Sequence, residues 1–222
     1  MASLKNSNLQ SILLIALIAI GASTIMSGSY ELSFERIQKN QQGQELELVT
    51  QIIKSTTDEQ ILEKIKSPTE SNISILPTPE LTYKITKNGI LNTFIFNAHS
   101  SQGYNGSIHM LVGINMDGSI TGVRITDHRE TPGLGDKIDI EKSEWILNFE
   151  SKSLTNPELP SWRVTKDGGH FDGFTSATVT ARAVIHTVRD TLIYFENHKD
   201  TLISHSSKTN SINNDYLVIT NE

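Results

Sequence analysis

The first hydrophobic feature of the chain is an unbroken one. Ile12 to Met26 carries no charge, and the uncharged stretch extends from Asn6 to Tyr30. About 20 apolar residues cross a bilayer as a helix, so residues 1–30 are expected to form a transmembrane anchor. Ile20-Gly21-Ala22 is a poor small-x-small cleavage site, which favours an uncleaved anchor over a removed signal peptide. Lys5 and the amino terminus precede the apolar run and Glu31 and Glu35 follow it, placing the N-terminus in the cytoplasm and the remainder outside. From Tyr30 to about Pro79 the chain is polar. Leu46, Val49, Ile52 and Ile53, then Ile61, Leu62 and Ile65, give two amphipathic helical patterns, read as a stalk and packing segment over residues 31–80. Ser67-Pro68, Pro77 and Pro79 mark breaks where helix gives way to extended chain.

The period then changes from helical to strand-like. Tyr83–Thr86, Thr93–Phe96, Ile108–Ile114 and Ile120–Ile125 read as successive strands, with Asn88-Gly89 and Asp117-Gly118 as hairpin turns. Helical spacing returns at Ala181, Val184, Ile185, Val188, Leu192 and Phe195. Helices that flank strands rather than alternate with them predict an α+β fold: an N-terminal transmembrane helix, then an antiparallel sheet with flanking helices over residues 81–198. Residues 199–222, with Ser206, Ser207, Asn210, Asn213 and Asn214, read as a polar and poorly ordered tail.

Composition narrows the function. The 222 residues suit one domain plus an appendage. A net charge of −6 with no Lys/Arg-rich block argues against a nucleic-acid partner. The absence of cysteine excludes disulfides, thiolate metal sites and a cysteine nucleophile. No Gly-x-Gly-x-x-Gly follows a strand and no Gly-Lys-Ser/Thr loop is present, so neither a Rossmann nor a P-loop nucleotide site is supported. His128, Glu130, His170 and Asp172 lack metal-ligand spacing. Ser143 or Ser176 with His170 lacks a Gly-x-Ser-x-Gly elbow. Asp136 to Glu144, rich in acids, reads as a solvated helix start, and Trp145 and Trp162 as core or rim aromatics.

The chemistry concentrates where the last helix begins, at Asp172-Gly173-Phe174-Thr175-Ser176-Ala177-Thr178-Val179-Thr180. Unpaired N–H groups and the positive end of the helix dipole make such a place suited to a phosphate. Ordinary N-capping by these hydroxyls is the competing reading. The segment resembles the Asp-x-x-(Ser/Thr)-Gly-Ala-Thr motif of the FMN-binding domain family, in which a flavin transferase joins FMN through its phosphate to the last threonine. By position that residue is Thr178, with Asp172 and Thr175 as further matches; Ser176 replaces the motif glycine. Were positive φ required there, a side chain would cost roughly 1–2 kcal/mol.

The loop Asp127 to Lys137, with Gly103-Tyr104-Asn105-Gly106, Lys142–Trp145 and Lys166–Asp172, resembles the G-subunit family of Rnf (Rsx) electron-transport complexes. It is more distantly similar to the C-subunit family of the sodium-translocating NADH:quinone reductase. The resemblance implies an inner-membrane complex that exchanges electrons between ferredoxin and NAD and moves cations, with this chain as a periplasm-facing relay rather than an enzyme by itself. It implies covalent FMN as cofactor, and the other complex subunits and a periplasmic flavin transferase as partners. Glu130, Thr131, Leu134 and Gly135 would lie around the ring or ribityl chain. The alternative is a component of the same complex that has lost its flavin and serves assembly.

Overall fold

The structure, a computed structural model, describes residues 2–53, 60–64, 79–209 and 216–219. It has two helices, α1 (Ala2–Ile53) and α2 (Thr178–Thr209). Six strands form one sheet: β1 (Gln60–Lys64), β2 (Glu80–Lys87), β3 (Ile90–Ser100), β4 (Ile108–Asn115), β5 (Ile120–Asp127) and β6 (Tyr216–Ile219). Every neighbouring pair is antiparallel, in the order β5-β4-β3-β2-β1-β6. The fold is α+β, as expected. The chain divides into two compact units between Leu46 and Glu47.

The first unit holds most of α1. Within it Ser11–Tyr30 has a mean hydropathy of 2.1 and none of it is buried within the protein, which makes it a candidate membrane span. An apolar helix left uncovered in this way is suited to another apolar medium.

In the second unit the sheet is covered on both faces. Alternation along the strands turns Phe94, Phe96, Ala98, Ile108, Met110, Val112 and Ile114 to one face, where they form a single core with α2. The helix contributes the six positions picked out by spacing: Ala181, Val184, Ile185, Val188, Leu192 and Phe195 are all 0–1% exposed. Each Val, Ile, Leu or Phe so buried contributes about 1.5–3 kcal/mol. The opposite face meets the last turns of α1, whose Val49 and Ile52 are fully buried. Gly113 and Gly122 are cross-strand partners there. A Cβ on Gly113 would stand 2.5 Å from Ile52 Cγ2, and one on Gly122 3.4 Å from Ile52 Cα, so bare backbone on both strands leaves room for the helix. Buried Arg124 donates from Nε to Gln51 Oε1 (3.1 Å) and from a terminal nitrogen to the Gln51 carbonyl (3.5 Å), at the end of α1 where carbonyls lack helical partners.

Two expectations are corrected. Ile61 and Leu62 belong to a strand, not a helix, because Gln60–Lys64 pairs with β2 on one side and β6 on the other. Ile65 lies outside the described residues, as does the Pro68 to Pro77 stretch. The C-terminal segment is not wholly an unordered tail: α2, meeting no Gly or Pro, continues to Thr209, and Tyr216–Ile219 supplies an edge strand. The charge in β1 is accommodated by a buried cross-strand ion pair, Lys84 Nζ to Glu63 at 2.7 Å. The Asn88-Gly89 turn has positive φ at both residues (50° and 76°), as a two-residue hairpin turn requires.

Gly113→Ala is expected to destabilise the protein by about 1–3 kcal/mol through overpacking. In a double-mutant cycle with Ile52→Ala the two losses should fall short of additivity, because the second change removes the methyl that the first collides with; urea unfolding of the detergent-solubilised chain measures this. Half-buried His186 on α2 has its pKa below the ordinary value, first through desolvation and then through Arg189, Arg163 and Arg182, with Asp190 opposing. The unfolded chain therefore takes up a proton that the folded protein resists, so stability falls as pH drops below about 6.5 toward the lower folded value. Between pH 7.5 and 5.5 His186→Gln should show a smaller loss of unfolding free energy than the native chain.

Candidate functional site

The site forms where three loops converge on the N-terminal turn of α2. Thr178 is its first helical residue, half-buried, and Thr178 Oγ1 donates to the Phe174 carbonyl at 3.0 Å rather than accepting a helix N–H. Capping therefore does not explain this hydroxyl. Phe174 is held by Trp145, ring centroids 4.9 Å apart, and Trp145 Nε1 donates to the Asp172 carbonyl at 2.7 Å. Trp145 in turn packs edge-on against Phe149, which stacks on Phe171. An aromatic cluster rooted in the core thus fixes the path of Asp172 to Phe174 into the helix.

On the other side lies the loop after β5. Glu130 is 5% exposed, and both of its carboxylate oxygens are engaged by protein. Oε2 accepts from Thr180 Oγ1 at 2.5 Å, and Oε1 accepts from the Asn105 backbone N–H at 3.1 Å. Thr131 accepts through its carbonyl from the N–H groups of Leu134 and Gly135, both at 3.1 Å, and through Oγ1 from Asn105 Nδ2 at 3.4 Å. These bonds close a tight turn that leaves Leu134 42% exposed and Gly135 buried.

A third contact ties the preceding loop to the helix. Arg182 grips Asp167 with two hydrogen bonds, 2.6 Å and 2.8 Å, and this holds the Asp167 carboxyl below its usual range. Both side chains are about a third exposed, so the pair orders the loop more than it stabilises the fold.

The structure therefore brings Glu130 and Gly135 against Thr180 in the first turn of α2, which also carries Thr178, while Thr131 is tied to Gly135 and Asn105. Asp172 and Thr175 are exposed on the approach to the helix. Thr180, Asn105 and Gly103, which sequence reasoning did not single out as site residues, complete the arrangement; the Gly103–Gly106 loop was the one visible signal. Ser176 fits without strain, because Asn88 and Ser151 are the non-glycine residues with positive φ among the described ones. Asp136 departs from the solvated character expected of it: it is 8% exposed, and its Oδ1 has no hydrogen-bond partner among the described residues. The reason is that Gly135 to Ile138 tucks inward behind fully buried Ile138. Ser143 caps a short 3-10 turn by accepting from the Trp145 N–H (3.1 Å), a structural task. Among the described residues no three His, Asp or Glu side chains converge as metal ligands.

Comparison with known proteins decides the family. Residues 103–193 match the FMN-binding domain family, which takes in the Gly103 loop, the Glu130 loop and Thr178. The chain is similar to the G subunit of the ion-translocating oxidoreductase complex of Vibrio parahaemolyticus, at 37% identity over 86% of this chain and 91% of the relative. It is 34% identical to the protein of that name from Shewanella loihica over 90% and 95% of the two chains. The counterpart in Pseudoalteromonas atlantica is 42% identical over 60% and 62%. The chain belongs to the G-subunit family of ion-translocating oxidoreductase complexes. It carries that family's FMN-binding domain, and the converging loops lie inside it.

Trp145→Phe keeps an aromatic ring, though a smaller one, and removes the donor to the Asp172 carbonyl. A loss of about 1 kcal/mol in unfolding free energy is expected, together with faster amide exchange at residues 172–175, read by mass spectrometry.

Proposed function

We propose that this chain is the membrane-anchored flavin carrier of an Rnf-type complex, with FMN joined through its phosphate to Thr178 Oγ1. The observation that carries the reading is the place of Thr178. Its hydroxyl is half-buried at the N-terminus of a long helix, in the motif position for attachment, inside the FMN-binding domain. A phosphate there would meet the unpaired N–H groups of the first turn. Those donors, a hydroxyl free of any capping duty and an unstrained Ser176 suit the group.

Forming the ester requires an activated donor, a flavin dinucleotide whose phosphoanhydride bond breaks. The Thr178 oxygen gains the bond to phosphorus and loses its proton, and a nucleoside monophosphate departs with the bonding electrons. A flavin transferase is the partner that this step needs. Bound flavin supplies the electron-carrying chemistry. The residues of this chain hold and shield it: exposed Leu134 offers apolar packing, Thr131 shapes the turn that presents it, and Asp172 and Thr175 belong to the segment the transferase reads. Glu130 and Gly135 support that surface from beneath.

The anchor sets the compartment. Lys5 before the span and Glu31 and Glu35 after it orient the domain toward the periplasm, with the other complex subunits as its redox partners between ferredoxin and NAD. The chain turns over no substrate alone.

Intact mass and in-gel flavin fluorescence test the attachment. With a co-expressed flavin transferase, the native chain should gain an FMN-sized mass that Thr178→Ala lacks. If neither gains it while a relative with glycine in the motif does so in the same cells, the chain is a scaffold component of the complex. Protease added to spheroplasts should digest the domain, and inside-out vesicles should protect it; the reverse pattern would invert the topology.

A further inference from the structure

We infer that Glu130 is a positioning residue: its buried carboxylate latches the first turn of α2 through Thr180, and so fixes the rotation at which Thr178 presents its hydroxyl for flavin attachment. The inference rests on the attachment proposed at Thr178.

Helix geometry links the two threonines. At 3.6 residues per turn, side chains two positions apart are rotated by about 200° and so point to nearly opposite sides of the helix. Thr180 is fully buried and faces Glu130, whereas Thr178 is half-buried. Whatever holds Thr180 inward therefore keeps Thr178 off the buried face of the helix, at the rim where its hydroxyl meets the Phe174 carbonyl. The first turn needs such a hold, since its N–H groups have no helical acceptors and helix ends open most readily.

The latch is built for a carboxylate. A Cβ on Gly103 would stand 2.8 Å from Glu130 Oε1, and one on Gly135 would stand 2.7 Å from Oε2 and 3.1 Å from Thr180 Oγ1. Two glycines on separate loops thus leave the volume that one charged group fills. Its two acceptors serve two elements, the Asn105 N–H of the β3–β4 loop and the Thr180 hydroxyl of α2. A hydroxyl donating to an ionised carboxylate makes a short, strong bond, and negative charge near a helix N-terminus is favoured. Each of its oxygens is held by a protein donor, and in this inference Glu130 acts on the flavin site through Thr180.

The test uses the full chain in detergent with purified flavin transferase and flavin adenine dinucleotide. Loss of one such charged hydrogen bond should lower kcat/KM for flavin transfer about tenfold or more in Glu130→Ala and Thr180→Val. Thr180→Ser, which keeps the hydroxyl, should transfer within about twofold of the native chain, and Glu130→Gln should stay closer to it than Glu130→Ala. A core variant far from the site, Leu192→Val, should lower Tm yet leave transfer unchanged, separating positioning from general stability. In the flavin-free chain, amides of residues 178–181 should exchange faster in Glu130→Ala than in Leu192→Val. Native-rate transfer to Glu130→Ala, or unchanged exchange at 178–181, would overturn the latch. So would normal transfer with a shifted flavin spectrum, which would make Glu130 a flavin contact. If even the native chain accepts no flavin, the attachment at Thr178 fails, while the exchange measurement still decides whether the latch exists.

Discussion

The burial of one helix face against one sheet face governs where everything else in the domain lies. Ala181, Val184, Ile185, Val188, Leu192 and Phe195 leave α2 one way to seat on the strands, because turning it would expose several of them at about 1.5–3 kcal/mol each. That seating fixes the axis of α2 but grips its first turn weakly, since the apolar seam begins only at Ala181. The residues before it are instead held by polar and aromatic contacts: Glu130 to Thr180, Arg182 to Asp167, and Trp145 to the Asp172 carbonyl and the Phe174 ring. The division is physically sensible. Apolar packing supplies the stability, and directional bonds supply the orientation at the point where chemistry is attached.

The sheet itself is two-sided for a different reason. One face is taken by α2, and the other accepts the end of α1 through the bare backbone of Gly113 and Gly122, with Arg124 meeting the last helical carbonyls. The helix that carries a candidate membrane span thus also contributes Val49 and Ile52, both fully buried, to the domain.

How much of this could be read from the chain follows from the range of the forces. The central strands β2 to β5 and the buried seam of α2 were legible because alternation and helical spacing are local. β1 was misread since its inward Glu63 looks solvent-facing until Lys84, on a strand beyond a proline-rich stretch, is known to neutralise it. β6 was hidden because a four-residue strand at a sheet edge is defined by its partner, here β1, rather than by its own pattern. Within the site, Thr178 was singled out from a contiguous motif. The roles of Asn105 and Thr180 were not, because they exist only through Glu130, which draws in one residue from before it and one from well after it. Asp136 shows the same limit from the other side: a charged residue in an acidic run reads as solvated until the turn that buries it is seen.

The site's exposure also bears on the covalent link proposed at Thr178. The surface around Thr178 is built of turns, with Leu134 and Val179 left 42% and 46% exposed. Small-molecule sites that hold a cofactor by affinity enclose most of its surface. A shallow surface gains little apolar burial with a flavin, whereas the bond proposed at Thr178 would make retention independent of burial. Such a bond would leave the flavin open to approach, provided the attachment point itself is held still. In the positioning role inferred for Glu130, the carboxylate between two glycines would supply rigid support beneath that open surface.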